Sequence, residues 1–271
     1  MAVTLVLREA PVVSLDAEAI CPDRLIGLSR TEIEKVEVWH GRDRAALGEF
    51  FAVSGTDADD LHVEGDLRAV NRVGAATSHG RLTIAGAVGM HLGADMRGGE
   101  IVVDGDAGDW AGAAMCGGRL IVRGSVGAHA GAAHPGARVG MRAGELLVSG
   151  DAGEQAGAAM RRGLIAVAGR LGDAVGLRML AGTIVGLGGV GSAAGAGMRR
   201  GTIVTMLDTT LLPTFRFACV YRPVALRLYL RRLRRLGLTI PDEQIEARYA
   251  RWSGDGLELN RGEILILEGA R

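Results

Sequence analysis

The sequence has few of the residues on which several common kinds of protein depend. Three cysteines, Cys21, Cys116 and Cys219, stand far apart with no C-x-x-C spacing, so neither a disulfide framework nor a cysteine-ligated cluster is expected. No stretch reaches the roughly 18 uninterrupted apolar residues of a membrane span, and no secretory signal is complete at the N-terminus. We therefore expect a cytoplasmic protein with no membrane partner.

The chain also has no formal net charge. The 31 basic residues balance the 31 acidic ones, which argues against nucleic acid as the main partner. Aromatic residues supply only 4% of the chain, and Lys35 is its only lysine. The basic residues are therefore almost all arginines, whose forked donors suit carboxylates.

Glycine, in contrast, is abundant and recurs at a fixed spacing. The 43 glycines follow no collagen-like triplet. Instead, a unit G-x-x-M-x-x-G-x-I-x-V-x-G-x-x-G recurs every 19 residues, with one interval of 26 that indicates a seven-residue insertion. The units start at Gly74, Gly93, Gly112, Arg138, Gly157, Gly176 and Gly195.

Each unit carries apolar residues in the alternation that is typical of a strand with one buried face. One apolar ladder consists of Leu82, Ile101, Leu120, Leu146, Ile165, Ile184 and Ile203. A methionine ladder, Met96, Met115, Met141, Met160, Met179 and Met198, favours core packing over a soft-metal site. One strand–turn–strand unit cannot bury its apolar face alone, so successive units must stack in register. We predict an all-β fold: a right-handed parallel β-helix (β-solenoid) with 19-residue glycine-framed repeats.

The segments on either side of the repeats predict two caps. We expect a small α/β N-terminal cap region over residues 1–54, the β-helix repeat domain over 55–210, and C-terminal helices with a hairpin over 211–271. The segment RPVALRLYLRRLRRLGL places three leucines on one helical face and five arginines largely off it. Capping of the repeats is favoured over contact with a partner or a membrane surface. A second helix is expected from PDEQIEARYARW.

No pattern predicts a catalytic residue or a metal ligand. The six histidines show neither H-x-H nor H-E-x-x-H spacing. The run GLGGVG at 186–191 fits a dinucleotide-binding pattern, but two of its glycines, Gly188 and Gly191, belong to the repeat and no helix is expected to follow. A free-standing hydrolase would need aligned carboxylates, and the strand positions offer mainly Glu100 and Glu145 on non-adjacent units. We therefore expect no cofactor bound by this chain itself.

Arginines follow the methionine ladder at equivalent positions, at Arg97, Arg142, Arg161, Arg162, Arg199 and Arg200. Stacking would bring them to one edge of the repeats. They either solvate a turn face or bind carboxylates from an acidic partner or a polyanionic ligand. The candidate binding residues are Arg161, Arg162, Arg199 and Arg200.

Several segments resemble the C subunit of formylmethanofuran dehydrogenase: GEFFAVSG, the units GADMRGGEIVVDGDAG and GAAMCGGRLIVRGSVG, and the closing RYARWSGDGLELNRGEILIL. The resemblance covers nearly the whole chain, and the repeat is also similar to the C-terminal glycine-repeat domain of glutamate synthase. The bacterial members imply a structural, non-catalytic subunit of the formyltransferase/hydrolase complex, which converts formyl-tetrahydromethanopterin via formylmethanofuran to formate in formaldehyde oxidation. The alternatives are the C subunit of a tungsten or molybdenum formylmethanofuran dehydrogenase and a glutamate-synthase-like spacer.

The resemblance also implies partners for the chain. They are amidohydrolase-like, formyltransferase-like and dehydrogenase-B-like subunits, with a methanofuran-type cofactor in the complex and the catalytic metals on other subunits. Since methanofurans carry glutamyl side chains, the four candidate arginines are implied to hold a polyglutamyl tail or to contact a partner.

Overall fold

A computed structural model describes residues 2–270, which contain 17 strands and five helices. The strands are β1 (Ala2–Leu7), β2 (Leu15–Asp16), β3 (Glu37–His40), β4 (Asp43–Ala46), β5 (Phe51–Ser54), β6 (Asp57–Glu64), β7 (Val70–Asn71), β8 (Arg81–Ala85), β9 (Glu100–Val103), β10 (Cys116–Val122), β11 (Ala143–Val148), β12 (Leu164–Val167), β13 (Thr183–Gly186), β14 (Arg200–Thr205), β15 (Arg216–Tyr221), β16 (Tyr249–Gly254) and β17 (Arg261–Leu267). The helices are α1 (Pro22–Leu25), α2 (Arg30–Glu34), α3 (Leu47–Phe50), α4 (Val224–Arg235) and α5 (Asp242–Ile245).

The repeat units stack in register, each contributing one strand to a large sheet. Within residues 2–270 this sheet has 13 strands, in the order β15-β16-β17-β14-β13-β12-β11-β10-β9-β8-β6-β1-β5. Strands β8 to β14 pair in parallel, so that Leu82 lies beside Ile101 and Ile101 beside Leu120. The pairing follows from the apolar alternation, because each buried side chain then packs on its equivalents in the neighbouring units.

The remainder of each unit is mostly turn. A second ladder consists of isolated single-residue bridges through Leu67, Val88, Ala107, Val126, Ala152, Leu171 and Val190. Between bridge and strand the chain passes through left-handed residues such as Trp110 (φ 58°) and Ala114 (φ 53°). Their N–H groups donate to Ala128 O (2.9 Å) and Ala132 O (3.0 Å) of the next unit, which satisfies the backbone without a second extended strand.

The predicted all-β, right-handed parallel β-helix is wrong as a fold class. The described residues form one large, mostly parallel sheet, together with a separate four-stranded sheet, β4-β3-β2-β7, and five helices. The prediction assumed that each unit holds two strands. Each unit instead supplies one strand, four residues long in β9 and seven in β10, and left-handed turn residues interrupt the rest.

Methionines and aliphatic side chains fill the space between the strands and the turns. All six residues of the methionine ladder have 0% exposure, which confirms their predicted packing role. Five of the six thioethers lie where a glycine of a later strand, or one just before it, leaves room. A Cβ on Gly163 would be 2.9 Å from Met141 Cε, and one on Gly201 would be 2.9 Å from Met179 Cε.

The N-terminal residues extend the sheet beyond the first repeat. Strand β1 lies between β6, with which it is parallel, and β5, with which it is antiparallel. Helix α1 lies against β6 and the first unit, where the Asp23 carboxylate accepts a hydrogen bond from Ser78 N (2.9 Å).

The C-terminal residues extend the other end of the sheet and cover one of its faces. Strand β17 pairs in parallel with β14, so that Ile264 continues the apolar ladder beside Ile203. Helix α4 buries Leu226, Leu230 and Leu233 in a second core with sheet residues such as Val185 and Val204. The prediction of a helix over PDEQIEARYARW is largely wrong, since α5 has four residues and the last four residues of that segment belong to strand β16. No helix in the described chain is long and apolar enough to cross a membrane.

Candidate functional site: a groove and an arginine pocket

The seven-residue insertion lies inside a repeat unit. Gly131 occupies the place of Gly112 and Gly157, with a φ of 67° against 64° and 70°. The prediction that this unit starts at Arg138 was therefore wrong, because it starts at Gly131. Without residues 134–140, HPGARVG, the chain would read Gly-Ala-Ala-Met here, as it does in the units of Gly112 and Gly157.

The insertion forms one wall of a groove with a volume of about 960 Å³. The floor consists of equivalent turn positions from successive units, so the groove runs along the stacking direction. Its lining residues are Trp110, His129, Ala132, Ala133, His134, Pro135, Ala137, Arg138, Val139, Gln155, Ala158, Ala159, Leu177, Arg178, Leu180, Gly197, Arg199 and Glu258.

One end of this groove is aromatic. His91, Trp110 and His129 occupy the same left-handed turn position in three successive units. Their rings stack, with centroids 5.4 Å apart between His91 and Trp110 and 4.5 Å apart between Trp110 and His129. Burial lowers the pKa of His91, and nearby positive charges lower it further, which favours a neutral ring within the stack.

His134 ties the insertion to this aromatic end. Its Nε2 lies 2.9 Å from Asp95 Oδ2, and its ring centroid lies 6.0 Å from that of His91. The histidine spacings gave no sign that these residues meet. The missed signal was the 19-residue spacing from His91 to Trp110 and from Trp110 to His129, since equivalent turn residues of stacked units become neighbours.

The other end of the groove is basic. Arg178 lines it, and Arg199 Nε lies 3.1 Å from Glu258 Oε2 in the turn between β16 and β17. Asp255 anchors that turn by accepting a hydrogen bond from Gly197 N (2.9 Å). Burial would raise the pKa of Asp255, but hydrogen bonds from the backbone N–H groups of Leu257 and Gly197 hold the pKa below its ordinary value.

The four candidate arginines line a second, shallower pocket, which we call the arginine pocket. It measures about 300 Å³ and is lined by Arg161, Arg162, Leu180, Ala181, Arg199, Arg200 and Leu259. The structure thus brings together all four residues that the stacking argument placed on one edge. Arg199 lines both the groove and the arginine pocket, which makes the two features continuous. Arg97 and Arg142 belong to the same stripe of arginines but do not line the pocket.

Glu100 and Glu145, the two strand carboxylates considered for a hydrolase, are held in ion pairs. Arg119 bridges them, with Nη1 3.1 Å from Glu100 Oε2 and Nε 3.0 Å from Glu145 Oε2. Burial raises the pKa of Glu145, but hydrogen bonds from Arg232 of α4 and from Arg119 lower it by more. Other α4 arginines pair with carboxylates near α5. Among residues 2–270, no group of three His, Cys, Asp or Glu could hold a metal ion.

Comparison with known proteins places this arrangement in a family. The profile described as GXGXG motif matches residues 67–214, more than half of the chain. The chain belongs to the GXGXG motif family. The residues that match the family include most of those that line the groove and all four candidate arginines.

Relatives of this GXGXG motif protein are C subunits of two kinds of enzyme complex. The C subunit of molybdenum-containing formylmethanofuran dehydrogenase 1 of Methanosarcina barkeri is 39% identical over 95 residues, which are 33% of this chain and 32% of the relative. The C subunit of the formyltransferase/hydrolase complex Fhc of Methylorubrum extorquens is 38% identical over 89 residues, 33% of this chain and 34% of the relative. The matches thus span about a third of these curated relatives.

A solved structure matches along nearly the full length. A chain in the crystal structure of the formyltransferase/hydrolase complex (FhcABCD) from Methylorubrum extorquens with methylofuran is 36% identical to this one. The TM-score is 0.88, and the match covers 97% of this chain and 98% of that chain. The resemblance to the C subunits of formylmethanofuran dehydrogenase and of Fhc is therefore confirmed.

Proposed function

We propose that this chain is the structural, non-catalytic C subunit of a formyltransferase/hydrolase complex, which converts formyl-tetrahydromethanopterin via formylmethanofuran to formate. The full-length likeness to a chain of FhcABCD carries the proposal. A glycine repeat alone can match other glycine repeats, but here the two ends agree as well. Those ends form the flanking strands and α4, so the likeness extends beyond the repeats at both ends of the sheet.

A structural role agrees with the ion pairs that hold the carboxylates of Glu100 and Glu145. Glu100 and Glu145 face arginines, and the depressed pKa of Glu145 keeps this group ionised at neutral pH. An ionised carboxylate held by two arginines is a poor proton donor, and its oxygens are already occupied as acceptors. We assign turnover to the partners: the amidohydrolase-like, formyltransferase-like and dehydrogenase-B-like subunits, with a methanofuran-type cofactor.

For the arginine pocket we propose a contact with the polyglutamyl tail of that cofactor or with a partner. All four arginines are exposed, and each guanidinium can bind a carboxylate through two hydrogen bonds. Charge reversal of Arg161, Arg162, Arg199 and Arg200 to Glu should release the cofactor from the purified complex while the subunits stay together. Unchanged cofactor content in the intact variant complex would reject the tail contact, and loss of assembly would assign the pocket to a subunit interface.

A second candidate is the C subunit of a formylmethanofuran dehydrogenase, which the archaeal relatives favour. The two candidates differ in the metals of the whole complex. The purified assembly should lack stoichiometric tungsten or molybdenum and should release formate without an electron acceptor. A complex that holds either metal and requires an electron carrier would favour the dehydrogenase.

The direct test of the structural role is expression with and without partners. The chain expressed alone should show no turnover of formyl-tetrahydromethanopterin or formylmethanofuran, whereas addition to the co-expressed partner subunits should give an active assembly. Turnover by the pure polypeptide would contradict the non-catalytic role.

A further inference from the structure

We propose that the groove docks an extended, acidic segment of a partner subunit, with an aromatic side chain of that segment anchored at the Trp110 and His129 end. The inference rests on the proposed function, because it needs a partner subunit. It goes further by assigning the surface and the chemistry of the segment that fills it.

The length of the groove suits an extended polypeptide. The floor runs from the unit of Trp110 to the unit of Gly197, five stacked units. At about 4.8 Å a unit, the floor is roughly 19 Å long, which matches about six residues of extended chain at about 3.3 Å each. The volume of about 960 Å³ lies at the upper end of the range for small-molecule pockets.

The charges in the groove favour an acidic occupant. Arg138 and Arg178 are exposed, and neither has a carboxylate within 4.0 Å among residues 2–270. Glu258 is already paired with Arg199 at 3.1 Å. Because Arg138 and Arg178 have no acidic partner among the described residues, their guanidinium groups could bind carboxylates of a partner segment without breaking an internal ion pair.

The aromatic end provides the anchor. Trp110 and His129 are only partly buried although their rings stack on each other, and both residues line the groove. Ring edges and faces of this kind accept another aromatic side chain in edge-to-face or offset contact. Tryptophans in such half-enclosed settings are typical anchors of protein interfaces.

The insertion itself argues for docking rather than for stability. The neighbouring units stack without it, and excision of 134–140 would restore the Gly-Ala-Ala-Met sequence of the units of Gly112 and Gly157. The His134–Asp95 contact nevertheless holds the insertion in place. Insertions in repeat proteins concentrate on one face, which is often the binding face.

The test uses the full chain co-expressed with its partner subunits and compares three variants. One lacks residues 134–140, one carries Arg138→Glu with Arg178→Glu, and a control carries Arg8→Glu with Arg42→Glu, which are exposed arginines far from the groove in sequence. Each purified variant is first checked for an unchanged thermal midpoint. We expect the first two to weaken subunit association at least tenfold, while the control assembles like the wild type.

Wild-type affinity in both groove variants would overturn the inference and leave the proposed function intact. Loss of a methanofuran-type cofactor with unchanged affinity between subunits would also overturn it, in favour of a small-molecule site. Failure of the wild-type chain to bind any of these subunits would overturn both proposals. A photo-crosslinking residue at Ala137 should capture a partner peptide that contains Asp or Glu beside Phe, Tyr or Trp, and capture of a basic peptide would contradict the assignment.

Discussion

His134 Nε2 lies 2.9 Å from Asp95 Oδ2, which joins an inserted residue to a turn 39 residues earlier in the chain. Asp95 occupies a left-handed turn position (φ 58°) in the unit of Gly93. This contact crosses the intervening repeat unit and joins the wall of the groove to the unit of Gly93.

Removal of this contact should loosen the insertion without unfolding the protein. In Asp95→Ala we expect faster amide exchange and faster proteolysis within residues 134–140, since residues 135–138 of the insertion are exposed. The thermal midpoint should change little. Asp60→Ala is the matched control, because Asp60 also pairs with a histidine, His62 (3.4 Å), and has the same 50% side-chain exposure. Equal exchange rates in both variants would show that the contact does not order the insertion.

The packing of methionine against glycine predicts a large effect at Gly163. Its φ is 107°, and a Cβ there would lie 2.9 Å from Met141 Cε and 3.0 Å from Gly144 O. Gly163→Ala should therefore lower the free energy of unfolding by more than the roughly 1–2 kcal/mol that the left-handed backbone costs a residue with a side chain. Thermal or urea unfolding measures the change.

The control for this substitution is Gly237→Ala. Gly237 has nearly the same φ, 104°, but a Cβ added there would meet no atom within 4 Å. The difference between the two variants isolates the clash with the methionine ladder. Equal destabilisation of the two variants would mean that Met141 moves away from the added methyl group at no cost in stability.

The ion pairs of Glu145 predict a pH-dependent contribution to stability. The Glu145 pKa is lowered in the folded protein, so its stabilisation is present above the unfolded pKa of roughly 4.3 and is lost as the pH falls through the lower folded value. Glu145→Gln should destabilise the protein by about 1.5–3 kcal/mol at pH 7. The difference from the wild type should shrink below pH 4.

Thermal unfolding of Glu145→Gln at pH 7 and below pH 4 measures this trend. Glu37→Gln is the control, because the Glu37–Arg44 pair is highly exposed, with 68% and 63% of the two side chains accessible. Surface pairs contribute about 0–1 kcal/mol, so this control should show little change at either pH. A constant Glu145→Gln deficit across pH would contradict the ion-pair explanation.

The stacking of the repeats could be read from the sequence, whereas the class of fold could not. A constant 19-residue spacing forces Leu82, Ile101 and Leu120 into one ladder, and the structure has that ladder. The spacing does not say how much of each unit is extended. Left-handed φ values at Trp110 and similar turn residues are set by hydrogen bonds to the next unit, which a linear pattern does not display.

The candidate site was likewise predictable in part. Arg161, Arg162, Arg199 and Arg200 converge because they occupy equivalent positions, which is a property of spacing. Glu258 could not be placed with Arg199, since that pair depends on how the β16–β17 turn folds back. A signal for β17 existed, because Arg261 and Gly262 repeat the Arg-Gly-x-Ile pattern of β14.

The division into residues 1–54, 55–210 and 211–271 stays a prediction. Limited proteolysis would test it, with cleavage expected near residues 54–55 and 210–211. Cleavage confined to the insertion would argue for a single cooperative unit instead.

We propose above all that this chain works as one subunit of a formyltransferase/hydrolase complex. Affinity purification of the tagged chain from its native host, followed by native mass measurement, tests it most directly. We expect a stable assembly much heavier than the 28.2 kDa chain, containing formyltransferase-like and amidohydrolase-like subunits and releasing formate. A chain recovered alone at its own mass, from cells in which that activity purifies separately, would contradict the claim.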